Sequence, residues 1–185
     1  MSAVRILPAA TRVAQPWKNG GGVTSEVLVH PSGAGFDDFV WRISIADVAS
    51  DGPFSRFPGV DRVLTVLAGA LDLVFAEGDP VRLSPNAAPH GFAGDVACFG
   101  RLVAGPVRDL NVMVRRGTGA ARVARLHPGA GLPHHGGGLV LFTAPGTLAA
   151  EDARHRMAAL DAAWIAGDAP VTLLSDGPVL TVQIG

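Results

Sequence analysis

The chain has one cysteine, no tyrosine, one lysine and three asparagines among its 185 residues. With Cys98 alone, no intramolecular disulfide can form, and a thiolate-rich metal cage is excluded. No apolar run approaches the ~20 residues of a membrane-spanning helix. The opening residues, Met1 to Pro8, lack the long apolar stretch of a secretory signal, so a cytoplasmic location is expected. Fifteen basic residues nearly balance sixteen acidic ones, without a run of either sign. Nucleic acid and anionic membrane are therefore poor candidate partners. Fourteen of the fifteen basic residues are Arg, a bias that G+C-rich coding would produce. Under such a bias the surviving Lys18 and Asn19, which are adjacent, and Asn111 stand out.

What is present is 48% hydrophobic, 17% charged and rich in Gly and Pro, which is globular and loop-rich. Short apolar or alternating runs predict strands near 4–7, 24–29, 40–47, 61–67, 70–75, 81–83, 99–104, 107–114, 120–126, 138–142, 171–175 and 179–184. Many short strands between Gly/Pro turns argue for a sandwich or jelly roll. Residues 149–166 are Ala-rich, with Met157, Leu160 and Trp164 at helical spacing. A short helix or irregular turn leading into strand is expected there, with two β segments as the alternative. An internal echo also appears. Phe92-Ala93-Gly94-Asp95 precedes Gly105-Pro106-Val107, and Ile165-Ala166-Gly167-Asp168 precedes Gly177-Pro178-Val179. Two jelly-roll halves follow from it, with lobes at 1–118 and 119–185.

Candidate chemistry lies in the first lobe. Pro16-Trp17-Lys18-Asn19-Gly20-Gly21-Gly22 joins an aromatic anchor to a glycine turn, a cation and an amide, a combination suited to an anion. The P-loop spacing is absent. In Trp41-Arg42-Ile43-Ser44-Ile45-Ala46, Arg42 and Ser44 share one strand face. An inward Arg there needs a carboxylate or an anionic ligand; an outward one is ordinary solvated surface. In Arg108–Val114, Asp109, Asn111 and Met113 share one face, which lines a wet cavity if it points inward. Asp61-Arg62 is expected to form a salt bridge. The six histidines are scattered, and the adjacent His134 and His135 would point to opposite sides of an extended chain. No nucleophile elbow or HExxH motif occurs, and Cys98 lies in an apolar stretch that favours an inert thiol.

Taken together, several motifs resemble the HutD/Ves family: Trp17-Lys18-Asn19-Gly20-Gly21-Gly22 with Thr24 and Glu26, Trp41-Arg42 with Ser44 and Ala46, Gly52-Pro53-Phe54-Ser55 with Phe57-Pro58-Gly59 and Asp61-Arg62, and Asp109 to Met113. They span roughly the first 116 residues. The resemblance implies an all-β bicupin in a bacterial protein. It also implies the absence of the usual cupin metal ligands, because residues 52–62 hold no His or Glu where a His-x-His pair and a Glu would stand. It links the chain to histidine utilisation, where a member is thought to restrain the route by binding an intermediate. Other members are tied to cold or stress responses.

The preferred expectation is a non-enzymatic binder of a small carboxylate such as formylglutamate or urocanate, without cofactor or metal, with a homodimer left open. Lys18 and Arg42 would pair with the acid, assisted by Arg62. Asn19, Ser44, Asp109 and Asn111 would give directional hydrogen bonds, and Trp17, Trp41, Phe54 and Met113 apolar walls. The alternatives are a cofactor-free isomerase or hydrolase using Asp61 or Asp109 as base, and a metal cupin with displaced ligands such as His90 and His134.

Overall fold

The computed structural model describes residues 4–128, 137–150, 153–167 and 169–185. Eighteen strands follow in chain order: β1 (Val4–Leu7), β2 (Ala14–Pro16), β3 (Gly22–His30), β4 (Trp41–Val48), β5 (Gly52–Pro53), β6 (Val60–Ala68), β7 (Leu71–Phe75), β8 (Val81–Leu83), β9 (His90–Ala93), β10 (Cys98–Leu102), β11 (Val107–Arg115), β12 (Ala121–Leu126), β13 (Gly138–Phe142), β14 (Gly146–Ala150), β15 (Ala153–Met157), β16 (Ala162–Ile165), β17 (Val171–Ser175) and β18 (Val179–Ile184). Among the described residues there is no α-helix, only one 3-10 turn at Ala9–Thr11. None has a helix long and apolar enough to cross a membrane.

The chain forms two compact units, residues 13–121 and residues 1–12 with 122–185. The second includes the N-terminus because β1 pairs antiparallel along β16, Val4 opposite Ile165 and Leu7 opposite Ala162. A cut at 118 places the first twelve residues in the other lobe, since local sequence carries no sign of a pairing made 160 residues away.

The 13–121 unit is a sandwich of a six-stranded sheet, order β2-β3-β4-β11-β6-β9, and a four-stranded sheet, order β5-β10-β7-β8. Ala46, Val48, Leu64, Val66 and Val107 from the first meet Leu71, Leu73, Leu83 and Cys98 from the second. Trp17, Phe54, Phe75 and Phe92 close the edges of this core. The opposite face of β4 and β11, with Ile43, Ile45, Leu110 and Val112, is buried too. Strands buried on both faces read as near-continuous apolar runs, so any polar residue on them is conspicuous.

The other unit has sheets of order β1-β16-β13-β18-β12 and β15-β14-β17. Its strands repeat the pairing of the first. In one, β6 pairs with β9 and β11, and β7 with β8 and β10. In the other, β13 pairs with β16 and β18, and β14 with β15 and β17. Gly94 and Gly167 follow β9 and β16, the equivalent strands. The echoed turns thus stand at equivalent corners of two jelly rolls; Asp168 itself lies outside the described residues.

The expected helix at 149–166 is corrected. The segment ends β14 and holds β15 and β16; Glu151 and Asp152 lie outside the described residues. Alanine favours helix, but edge pairing of β16 with β1 and β13 outweighs that weak preference. Between β15 and β16 the chain turns at Leu160, whose φ of 69° lies in the left-handed region. Asp161 fixes this turn by accepting N–H bonds from Ala158 (2.8 Å) and Ala9 (2.7 Å).

A candidate anion site on the inner face of the first jelly roll

Side chains on the inner face of β3, β4, β11 and β6 follow the strand register. Met113 stands between Arg42 and Arg62. Asn111 stands between Ser44 and Leu64, with Glu26 next to Ser44. Asp109 stands between Ala46 and Val66. Two bulges arrange this. An extra residue at Val27 lets both Glu26 and Val29 face inward despite their odd spacing, and one at Leu67 puts Val66 opposite Asp109.

Arg42 is 6% exposed and Arg62 5%. A buried guanidinium is costly unless it meets an opposite charge. Arg42 has one: its Nη1 lies 2.7 Å from Glu26 Oε2. Its Nε has no partner, and Phe36 lies against the guanidinium at 4.5 Å. Arg62 has none. It donates only to neutral acceptors, Asn111 Oδ1 at 3.3 Å and the Ser55 carbonyl at 3.2 Å, and makes no ion pair among the described residues. The rings of Phe92, Phe54 and Phe57 stand 5.1, 5.2 and 5.8 Å from it. These faces favour a cation but do not neutralise it. Burial pushes the Arg62 pKa down, and the nearby Asp109 opposes that shift.

Asp109 is 1% exposed and neither carboxyl oxygen has a hydrogen-bond partner. Burial pushes its pKa up to about 7; Arg62 pulls it down and Asp47 adds to the rise. A buried carboxylate with no donor is strongly disfavoured, so the acid form gains.

The remaining expected residues divide. Ser44 is buried on the inner face, and Phe54 packs on Gly100, where an added Cβ would lie 2.7 Å from its ring. Met113 is buried with Val29, Phe39 and Val60 and forms floor. Trp17 anchors the glycine turn: its Nε1 donates to Thr24 Oγ1 at 2.7 Å, and Gly22 fits under the indole. Asn19 Oδ1 accepts the Gly21 N–H at 3.0 Å, closing the turn on itself. Lys18 is exposed on this turn. Trp41 lies on the opposite strand face from Arg42, stacked on His30 at 5.5 Å, so it is no wall of the site.

The expected Asp61–Arg62 salt bridge does not form. Adjacent strand residues face opposite ways, and Asp61 pairs with Arg116 outside. No group of three or more His, Cys, Asp or Glu suited to a metal occurs among the described residues, and His134 lies outside them. Sequence reading left out Glu26 as the counter-charge of Arg42, and the aromatic shell of Phe36, Phe57 and Phe92. Glu26 was visible within the Thr24-x-Glu26 motif, but the bulge that turns Val29 inward beside it was not.

Fold and site together define a cupin-like protein whose first jelly roll carries two buried arginines and a buried carboxyl on its inner face. The HutD family model matches residues 9–181, and the chain belongs to the HutD family, which is associated with the histidine-utilisation locus. A 21.2 kDa protein of the hutC 3' region of Pseudomonas putida is 39% identical over 113 residues, 61% of this chain. Protein Ves of Citrobacter koseri is 39% identical over 108 residues, 58% of this chain. The matched parts span 59% and 56% of those two relatives. HutD from Pseudomonas fluorescens SBW25 (formate condition) superposes with a TM-score of 0.81 at 28% identity, over 98% of this chain and 97% of that one.

Proposed function

We propose that this chain binds a small carboxylate through Arg62 and Arg42 and acts in histidine utilisation as a binding protein that senses an acid of the route. Formylglutamate and urocanate are the candidate ligands. One observation carries the reading: Arg62 is almost fully buried, yet it hydrogen-bonds only neutral acceptors, stands against ring faces and makes no ion pair among the described residues. A guanidinium held this way has donors left for an oxyanion, in the fork geometry that suits a carboxylate. Asn111 and Ser55 hold it in place before the ligand arrives, and Ser44 adds a hydroxyl on the neighbouring strand.

Calorimetric titration with each acid tests this. Binding at millimolar ligand or better is expected, with at least a tenfold loss in Arg62→Met and in Arg42→Ala. An absence of binding, or binding indifferent to both substitutions, overturns the proposal.

A second reading rests on Asp109. A buried carboxyl with a pKa near 7 is suited to general acid–base chemistry. In that case the chain turns over a small acid without a cofactor, and turnover in a metabolite-pool assay disappears in Asp109→Asn.

A further inference from the structure

We infer that Asp109 sets the charge the site accepts: a carboxylate enters together with one proton, which Asp109 takes up. The inference rests on the reading that Arg62 and Arg42 hold a carboxylate.

Glu26 and Arg42 already form a neutral pair. Among the described residues, the only other charged groups on this inner face are Arg62 and Asp109. Arg62 is held at Asn111 by its Nε, and Asp109 is two residues from Asn111 on the same strand face. The residue that holds the guanidinium and the residue that bears the carboxyl are thus one step of roughly 7 Å apart along the β11 backbone, and each charge acts on the other. Without a ligand, each partly compensates the other's charge. A ligand carboxylate at Arg62 takes over that role, leaving two anions beside one guanidinium in a buried space. Neither Asp109 oxygen has a protein donor to hold its charge in place. Like charges at such separation cannot both remain ionised cheaply, and the group with no hydrogen bond is the one that protonates.

No other group near Asp109 is placed to do this. On β4 its neighbours are Ser44 and Ala46; Asp47 faces the other way and pairs with Arg108. On β3 Glu26 is held by Arg42. On β6 the neighbours besides Arg62 are Leu64 and Val66. On β9 His90 stacks on Phe92 rather than on the carboxyl. On β10 burial keeps Cys98 a neutral thiol, with its pKa at about 11.

The test is titration calorimetry with formylglutamate, which has no group titrating between about pH 6.5 and 9. Runs in phosphate and in Tris at about pH 8 give the protons taken up. The expected result is more than half a proton per ligand, with affinity at least tenfold weaker at about pH 9 than at about pH 6.5. Asp109→Asn should bind the acid with no proton uptake and no change in affinity over that range. Binding by the wild type without uptake overturns the inference and leaves the carboxylate site standing. Equal uptake in Asp109→Asn does the same, by assigning the proton elsewhere. No binding at any pH removes the site itself, and the inference with it.

Discussion

Replacing Asp109 by Asn should stabilise the ligand-free protein, and by an amount that depends on pH. The carboxyl moves from an ordinary 3.8 to about 7 on folding. That is roughly three units, or about 4 kcal/mol at 1.36 kcal/mol per unit. The folded pKa is the higher one, so the native state binds the extra proton and stability falls as pH rises. The loss begins near the unfolded value and is complete above about pH 7. Between pH 5 and 8 the wild type therefore loses about 3 kcal/mol that Asp109→Asn keeps. Asn fits the same volume, and any cost of its own unpaired amide is the same at both pH values. Urea unfolding of both proteins at pH 5 and 8, followed by far-ultraviolet circular dichroism, gives the difference of differences. A gap between variant and wild type that stays within about 0.5 kcal/mol across this range would show that Asp109 is solvated or hydrogen-bonded in the native protein.

Three other outcomes are expected. Gly22→Ala places a Cβ 2.5 Å from the Asp47 carbonyl, a backbone atom, and should destabilise the protein by about 1–3 kcal/mol in thermal melts, whereas Gly33→Ala, with nothing within 4 Å, should cost only about 1 kcal/mol through its φ of 83°. Asp161→Ala strands the N–H groups of Ala9 and Ala158 and should cost about 1–3 kcal/mol, with faster amide exchange in β1 as the local sign. Cys98, buried and with its thiol pKa at about 11, should react with a disulfide reagent at about pH 8 only after denaturant is added; prompt native reaction would contradict its placement in the core.

The sequence showed much of this molecule, but unevenly. Twelve runs were legible as strands because alternation and Gly/Pro punctuation are local. β2, β5 and β9 were not, being two to four residues long and fixed only by their partners. β15 and β16 were hidden under an alanine-rich composition that prefers helix in isolation. The site was legible where strand period alone decides it: Arg42 with Ser44, and Asp109 with Asn111. It was not legible where a bulge shifts the period or a loop folds back. Which face points inward was open from sequence alone. The answer is that Ala46, Leu64 and Val66 meet the second sheet, and the polar residues share their face.

The internal repeat turns that placement into an argument about purpose. Both jelly rolls have the same strand pairing, so what their shared geometry demands can be separated from what one copy adds. Aligning Gly105-Pro106-Val107 with Gly177-Pro178-Val179 sets Asp109 against Thr181 and its neighbour Val66 against Val140. Around Thr181 the second copy is filled by Val140, Phe142, Leu148, Met157 and Val179. A neutral hydroxyl and apolar packing therefore satisfy this fold at that position. The carboxyl of Asp109, like the buried guanidinium of Arg62 with its neutral acceptors, is something the first copy carries at a cost in stability. Buried polar groups without partners are rare because each costs about 1–3 kcal/mol, more when charged. Asp109, with no hydrogen bond, and Arg62, with neutral acceptors only, lie on one sheet face with opposite signs, which is the arrangement the proposed carboxylate site needs.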